Sequence, residues 1–191
     1  EDDNSEEIIE YESEHSNYNF YRTPYFNENP MKQIKLRENI INFISSKLQL
    51  HDFNQAIHCV WYCARCEPNG FQGYEISFIK TLSAILREYR INVILVLTQC
   101  YDNNVRDNLI NQIENEHEAF QYYQAIVAEN YRDDENYLGA TVSFGIDELQ
   151  ALTNNALNNS FIFDILDENA RENFECNIIT NFYCVYWYRI I

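Results

Sequence analysis

The sequence predicts an α/β domain, a mostly parallel sheet with flanking helices. Three observations lead there. Short runs of β-branched and aromatic residues alternate with longer stretches of helical periodicity, the order expected of parallel strands joined by crossover helices. The clearest run, "INVILVLT" at 91–98, is apolar throughout, which suits a strand covered on both faces. No internal repeat or low-complexity linker breaks the chain. Residues 18–191 therefore read as one domain behind an acidic arm at 1–17.

The arm holds eight acids and almost no periodic apolar signal, the composition of a mobile segment. Asn29-Pro30 then marks a helix start, and Ile34, Ile40, Ile41, Ile44 and Leu48 recur at helical spacing through "MKQIKLRENIINFISSKLQL". "AIHCVWYC" (56–63) is a short buried strand. The Pro and Gly of "EPNGFQG" make a loop. "YEISFIKTLSAILREY" returns to helical spacing through Ile76, Ile79, Leu82, Ile85 and Leu86. After the 91–98 strand, "NNVRDNLINQIENEHEAF" is a polar-faced helix through Val105, Leu109 and Ile113. "QAIVAEN" (124–130) is a third strand and "FGIDELQALTNNAL" a helix. "FIFDILDENARENFECNIITNFY" reads as a further helix.

Composition narrows the function. The 191 residues carry 30 acidic against 13 basic side chains, a formal charge of −17. Such a balance repels phosphate backbones and anionic lipid, so neither nucleic acid nor a membrane surface is an expected partner. No run approaches the roughly 20 apolar residues of a membrane span. The acidic start is unlike a secretory signal. The chain opens on Glu1 and closes inside the apolar stretch "FYCVYWYRII", so both ends read as cut. Six cysteines spread through an acidic chain fit reduced, packed thiols in a cytoplasmic setting. Cys59, Cys63 and Cys66 with His51 and His58 can be drawn as zinc ligands. Alternation along a strand puts Cys59 and Cys63 on one side and His58 on the other, so no metal is expected. His15 and His117 stand beside no nucleophile motif, and the aromatic stretch "NFYCVYWY" reads as a partner surface or a core-covering terminal element.

The succession "LRENIINFISSKLQLHDFNQAIHCVWYCARCEPNGFQGYEISFIKTL", "INVILVLTQCYD", "QAIVAEN" and "FGIDELQALTNNAL" resembles the latter two-thirds of an Era-like (translation-factor class) GTPase domain. More narrowly, it is similar to bacterial and fungal GTPase-domain proteins with a strand reading Ile-His-Cys-Val/Ile-Trp-Tyr-Cys. The likeness covers about residues 20 to 160, and "IHCVWYC" followed by "EISFIK" is its most specific part. The resemblance implies a P-loop GTPase G domain lacking its first strand and phosphate loop, with nucleotide at the carboxyl ends of the strands.

The family's phosphate loop, G-x-x-x-x-G-K-[ST], is absent; glycines occur only at 70, 73, 139 and 145. Its Asp-x-x-Gly motif corresponds to "FYRTPYF". Thr23 and Pro24 are kept there, but Arg22 replaces the magnesium-holding Asp and Tyr25 replaces the Gly. An Arg cannot hold a cation, and a side chain crowds the close backbone approach. In the guanine-reading motif Asn/Thr-Lys-x-Asp, Thr98 and Gln99 match loosely, Cys100 is the free position, and Tyr101 stands where Asp belongs. Asp102 comes one residue late and reads a base only across a bulged loop; it serves equally well as a helix cap. Ala128 and Glu129 fit the last motif, Ser-Ala-x, through backbone amides. The expectation is a pseudo-GTPase acting through a protein partner or self-association, without a cofactor of its own. The alternative is a guanine-nucleotide-binding GTPase, with GTP and Mg held by a phosphate loop upstream of this chain.

Overall fold

A computed structural model describes residues 7–11, 18–24, 29–49, 55–100, 102–116, 122–125, 145–158 and 176–180. The elements run β1 (Ile9–Tyr11), β2 (Tyr18–Arg22), α1 (Pro30–Gln49), β3 (Cys59–Arg65), α2 (Gly73–Glu88), β4 (Asn92–Thr98), α3 (Asn103–Glu114), β5 (Tyr122–Ala125), α4 (Ile146–Asn158) and β6 (Cys176–Thr180). The strands form one sheet in the order β1-β2-β6-β3-β4-β5. Only β1 is antiparallel to its neighbour. The expected α/β class, a mostly parallel sheet with flanking helices, is what the chain forms.

Strands β3 and β4 make the spine. They pair along their full lengths, from Cys59 opposite Asn92 to Arg65 opposite Thr98. Successive side chains alternate faces. Val60 and Tyr62, with Val93, Leu95 and Leu97, join a core shared with α1, α2 and α3. The other face meets α4: Trp61 Nε1 donates to Thr153 Oγ1 at 3.1 Å, and Asn92 Nδ2 donates to the Ala156 carbonyl at 2.9 Å. Handedness accounts for this division. The chain steps from β2 to β3, β4 and β5 in one direction, and right-handed crossovers put those helices on one face. The return to β6 runs the other way, which assigns α4 to the opposite face.

Each helix is set by local chemistry. Asn29 Oδ1 accepts the Met31 amide at 2.9 Å and the Asn29 carbonyl accepts the Gln33 amide at 3.0 Å, so α1 begins at the expected Asn-Pro. Pro30, lacking an amide hydrogen, fits the first turn. The buried stripe of α1 is Leu36, Ile40 and Ile44, one residue every 3.6-residue turn. Ile34, expected on that stripe, is 40% exposed and lies off it. Gln72 and Glu75 form a capping box at the start of α2, and Phe78, Ile79, Leu82 and Leu86 bury its inner face. Each such side chain stabilises the fold by roughly 1.5–3 kcal/mol.

Three expectations change. Within the acidic arm expected to be mobile, Ile9–Tyr11 forms the edge strand β1, tied to β2 by the Tyr21 hydroxyl donating to Glu10 Oε1 at 2.7 Å. The region expected as a final helix contributes strand β6, "CNIIT". Its β-branched Ile178, Ile179 and Thr180 suit a pleated surface, and it pairs in parallel with β2 and β3. The third strand of the series begins two residues before "QAIVAEN" and is described over Tyr122–Ala125; "IVAEN" falls outside the described residues. Among the described residues no helix is long and apolar enough to cross a membrane.

The Trp61–Thr153 hydrogen bond is the buried side-chain tie between the sheet and α4. Thr153 Oγ1 also donates to the Leu149 carbonyl at 2.8 Å. A Thr153→Val variant keeps the shape and takes this buried acceptor away from the indole N–H. Urea denaturation followed by tryptophan fluorescence should show a loss of about 1–3 kcal/mol.

Candidate functional site

In a parallel α/β sheet the loops that leave the carboxyl ends of the strands form the ligand edge. Here the best-defined part of that edge is the pair of loops after β3 and β4. The two strands leave the sheet tied together. The Cys66 amide donates to the Thr98 carbonyl at 2.9 Å, and Thr98 Oγ1 donates to the Ala64 carbonyl at 3.2 Å. Thr98 is 4% exposed, so its hydroxyl serves the strand junction.

Gln99 directly follows β4 with φ of 58°, the left-handed region that a side chain disfavours by roughly 1 kcal/mol. Its Oε1 accepts the Arg65 Nε hydrogen at 2.9 Å, which anchors the turned residue across to β3. Tyr101 lies outside the described residues. Asp102 caps α3: its Oδ1 accepts the amides of Asn104 at 2.8 Å and Val105 at 3.2 Å. Of the two roles open to Asp102 in the sequence, the cap is the one its contacts display.

The loop after β3 is clamped to α3. Gln112 Oε1 accepts the Phe71 amide, and its Nε2 donates to the Phe71 carbonyl, both at 3.1 Å. Gly70 permits this twice over. Its φ is +65°, and a Cβ there would come 2.7 Å from Gln112 Oε1. Lys80 and Glu116, 2.7 Å apart, add an ion pair between α2 and the turn that follows α3.

The other motif residues lie elsewhere. Arg22 is the register partner of Thr180, Thr180 of Trp61 and Trp61 of Ile94. Arg22 therefore stands three strands across and four residues short of Thr98, on the order of 20 Å from it. Thr23 is buried and its hydroxyl donates to the Pro24 carbonyl at 3.2 Å. Tyr25, Ala128 and Glu129 lie outside the described residues. The strand ends thus bring together Thr98, Gln99 and Asp102, and hold them apart from Arg22.

The cysteines divide by face. Cys59 is buried in the sheet, where loss of solvation pushes its thiol up. Cys63 is only half-buried, more accessible than expected, and both thiols are free. His58 is buried before the start of β3; His51 lies outside the described residues. No group of three metal-ligating side chains occurs among the described residues. The arrangement that the sequence reading missed is Cys66 with Cys100. A hydrogen bond with Cys100 lowers the Cys66 thiol below its ordinary value, partly opposed by burial and aided by the Arg106 charge. Its signal in the sequence was positional: each cysteine falls within two residues of the end of one of two adjacent parallel strands.

Comparison with family models, with curated proteins and with solved structures gives no match for this chain.

Two measurements check this geometry. Asp102→Ala removes the acceptor of two amides and should cost about 1 kcal/mol in urea denaturation, whereas Asp102→Asn, itself a good cap, should stay close to wild type. The Cys66 thiolate should be alkylated by iodoacetamide with an inflection below the ordinary thiol range, read peptide by peptide in a mass spectrometer. Cys100→Ala removes the main lowering contact, so the inflection should move up in pH.

Proposed function

We propose that this chain is a GTPase-like domain without phosphate chemistry, a pseudo-GTPase that serves as a protein-interaction or assembly module. The observation that carries the reading lies at the centre of the sheet. Strand order reverses beside β6, since the chain runs outward from β2 through β5 and then returns. Ligands of doubly wound sheets bind outside the carboxyl ends of the strands at such a reversal. A phosphate held there needs closely approached backbone amides, and hence glycine. The residues after β6 are Asn181-Phe182-Tyr183-Cys184, without one.

The residues aligned with the other GTPase motifs support the same reading. Arg22 occupies the place of the magnesium-holding carboxylate, and Thr98 and Asp102 spend hydrogen bonds on the strand junction and the α3 cap. Met31, 73% exposed, and Ile34 lie three residues apart on α1, apolar surface of the kind that partners cover. The alternative, a GTP-binding domain with its phosphate loop upstream, meets an obstacle. Every interior place in the described sheet is already paired on both sides, so a strand carrying that loop could join only at an edge.

Calorimetry with GTP and magnesium on the 191-residue chain tests the proposal. What remains for the base is a few polar groups, a contact on the order of a few kcal/mol, corresponding to millimolar affinity or weaker. The expected result is no heat of binding at micromolar nucleotide. Micromolar affinity that disappears in Asp102→Ala would establish guanine reading and overturn the pseudo-GTPase.

A further inference from the structure

We propose that Cys66 and Cys100 form a reversible disulfide that clips the loop after β3 to the loop after β4, with a low-molecular-weight disulfide of the glutathione class as oxidant. This inference stands apart from the nucleotide question, because it rests on the two thiols and their backbone alone.

The geometry sets up the pair. Cys66 directly follows Arg65, the register partner of Thr98, and its amide is bonded to the Thr98 carbonyl at 2.9 Å. The same Thr98 carbonyl also lies 3.9 Å from Cys100 Sγ, so the Cys66 backbone and the Cys100 sulfur meet at one oxygen. The left-handed turn at Gln99 brings the chain round, so that Cys100 points into the core cluster against which Cys66 packs. Both sulfurs are free thiols.

The two differ in access, as an attacking and a resolving thiol must. Cys66 is half-buried and open to solvent, while Cys100 is 2% exposed, its Sγ 3.3 Å from the Leu97 carbonyl. A solution disulfide therefore meets Cys66 first. Arg106 beside it favours the thiolate. Cys63, although in Cys-x-x-Cys spacing with Cys66, belongs to the opposite face. It alternates with Tyr62 of the shared core, and Cys66 packs on that core. Cys59 is buried among the strands. Among the cysteines with described side chains, Cys100 is the partner that remains.

The steps balance. The Cys66 thiolate attacks one sulfur of oxidised glutathione, forming a mixed disulfide and expelling one glutathione thiolate. Cys100 gives up its proton to solvent and its sulfur attacks the Cys66 sulfur, expelling the second glutathione. Two protein thiols are oxidised and one small disulfide is reduced to two thiols. The product links the two loops that carry Arg65, Gln99 and Asp102, so that the oxidation state sets the freedom of this edge.

The test is oxidised glutathione added to the folded 191-residue chain, followed by intact-mass and non-reducing peptide mass spectrometry. The expected wild-type product has lost two hydrogens, carries a Cys66–Cys100 linked peptide and reverts with dithiothreitol. Cys100→Ala should stop at one glutathione on Cys66. Cys66→Ala, with its fold checked by circular dichroism, should leave Cys100 unmodified. A wild-type chain that retains glutathione on Cys66 as stably as Cys100→Ala does would overturn the proposal. So would a Cys66 link to any other cysteine, or a Cys100 adduct in the folded Cys66→Ala chain.

Discussion

Seven consecutive parallel pairs join β3 to β4, and Ile94, Leu95, Val96 and Leu97 in the middle of that ladder are at most 1% exposed. A strand apolar on both faces cannot rest beside water on either. That single constraint organises the protein. It requires helices above and below the sheet, it makes crossovers the only way to connect the strands, and it excludes the pair from either edge. The edges fall to β1 and β5, which are shorter. The polar groups of the fold then gather where this apolar ladder stops, at Thr98, Gln99 and Cys66. The ligand edge is where the core runs out.

That edge also shows how one residue can be committed twice in sequence and once in space. Asp102 follows a strand and precedes a helix, the setting of both a base-reading carboxylate and a helix cap. Its oxygen holds two amides of α3, which orders the first turn of a helix whose buried anchors are only Leu109 and Ile113. With so narrow an apolar stripe, α3 depends on its cap and on the Gln112 clamp more than α2 does. The surface ion pairs nearby, such as Arg65 with Glu67 at 4.0 Å, add little in comparison, being solvated on both partners.

Much of this was legible in sequence because period and burial agreed. The β4 run, the Asn29-Pro30 start and the Leu82–Leu86 face each satisfied local propensity and tertiary need at once. The exceptions are physical. Ile34 fits a helical period, but α1 turns Leu36, Ile40 and Ile44 into the core, a rotation fixed by packing that the period alone does not display. "CNIIT" is too short to reveal by pattern whether it is strand or helix, and its place between β2 and β3 is a long-range fact. The acidic residues around Ile9–Tyr11 hide a strand whose pairing partner, not its composition, orders it. At the edge, the polar turn at Thr98–Gln99 was readable, whereas the proximity of Cys66 to Cys100 arises from the register of two strands and from a left-handed residue, neither of which a sequence displays.

The position of β6 has a consequence for how the molecule comes into being. Tyr18 pairs with Cys176, so the sheet closes only when segments far apart in sequence meet. Contacts of that sequence separation are slow to form, because a long loop must be closed before any pairing energy is gained. During synthesis β3, β4 and their helices emerge well before the strand that fills the gap beside them. Until β6 arrives, β2 and β3 each present an unpaired edge, the kind of surface that recruits strands from other chains. The high negative charge, −17 over 191 residues, keeps such half-built chains apart by mutual repulsion. The acidity thus acts on the nascent protein as well as on the finished one.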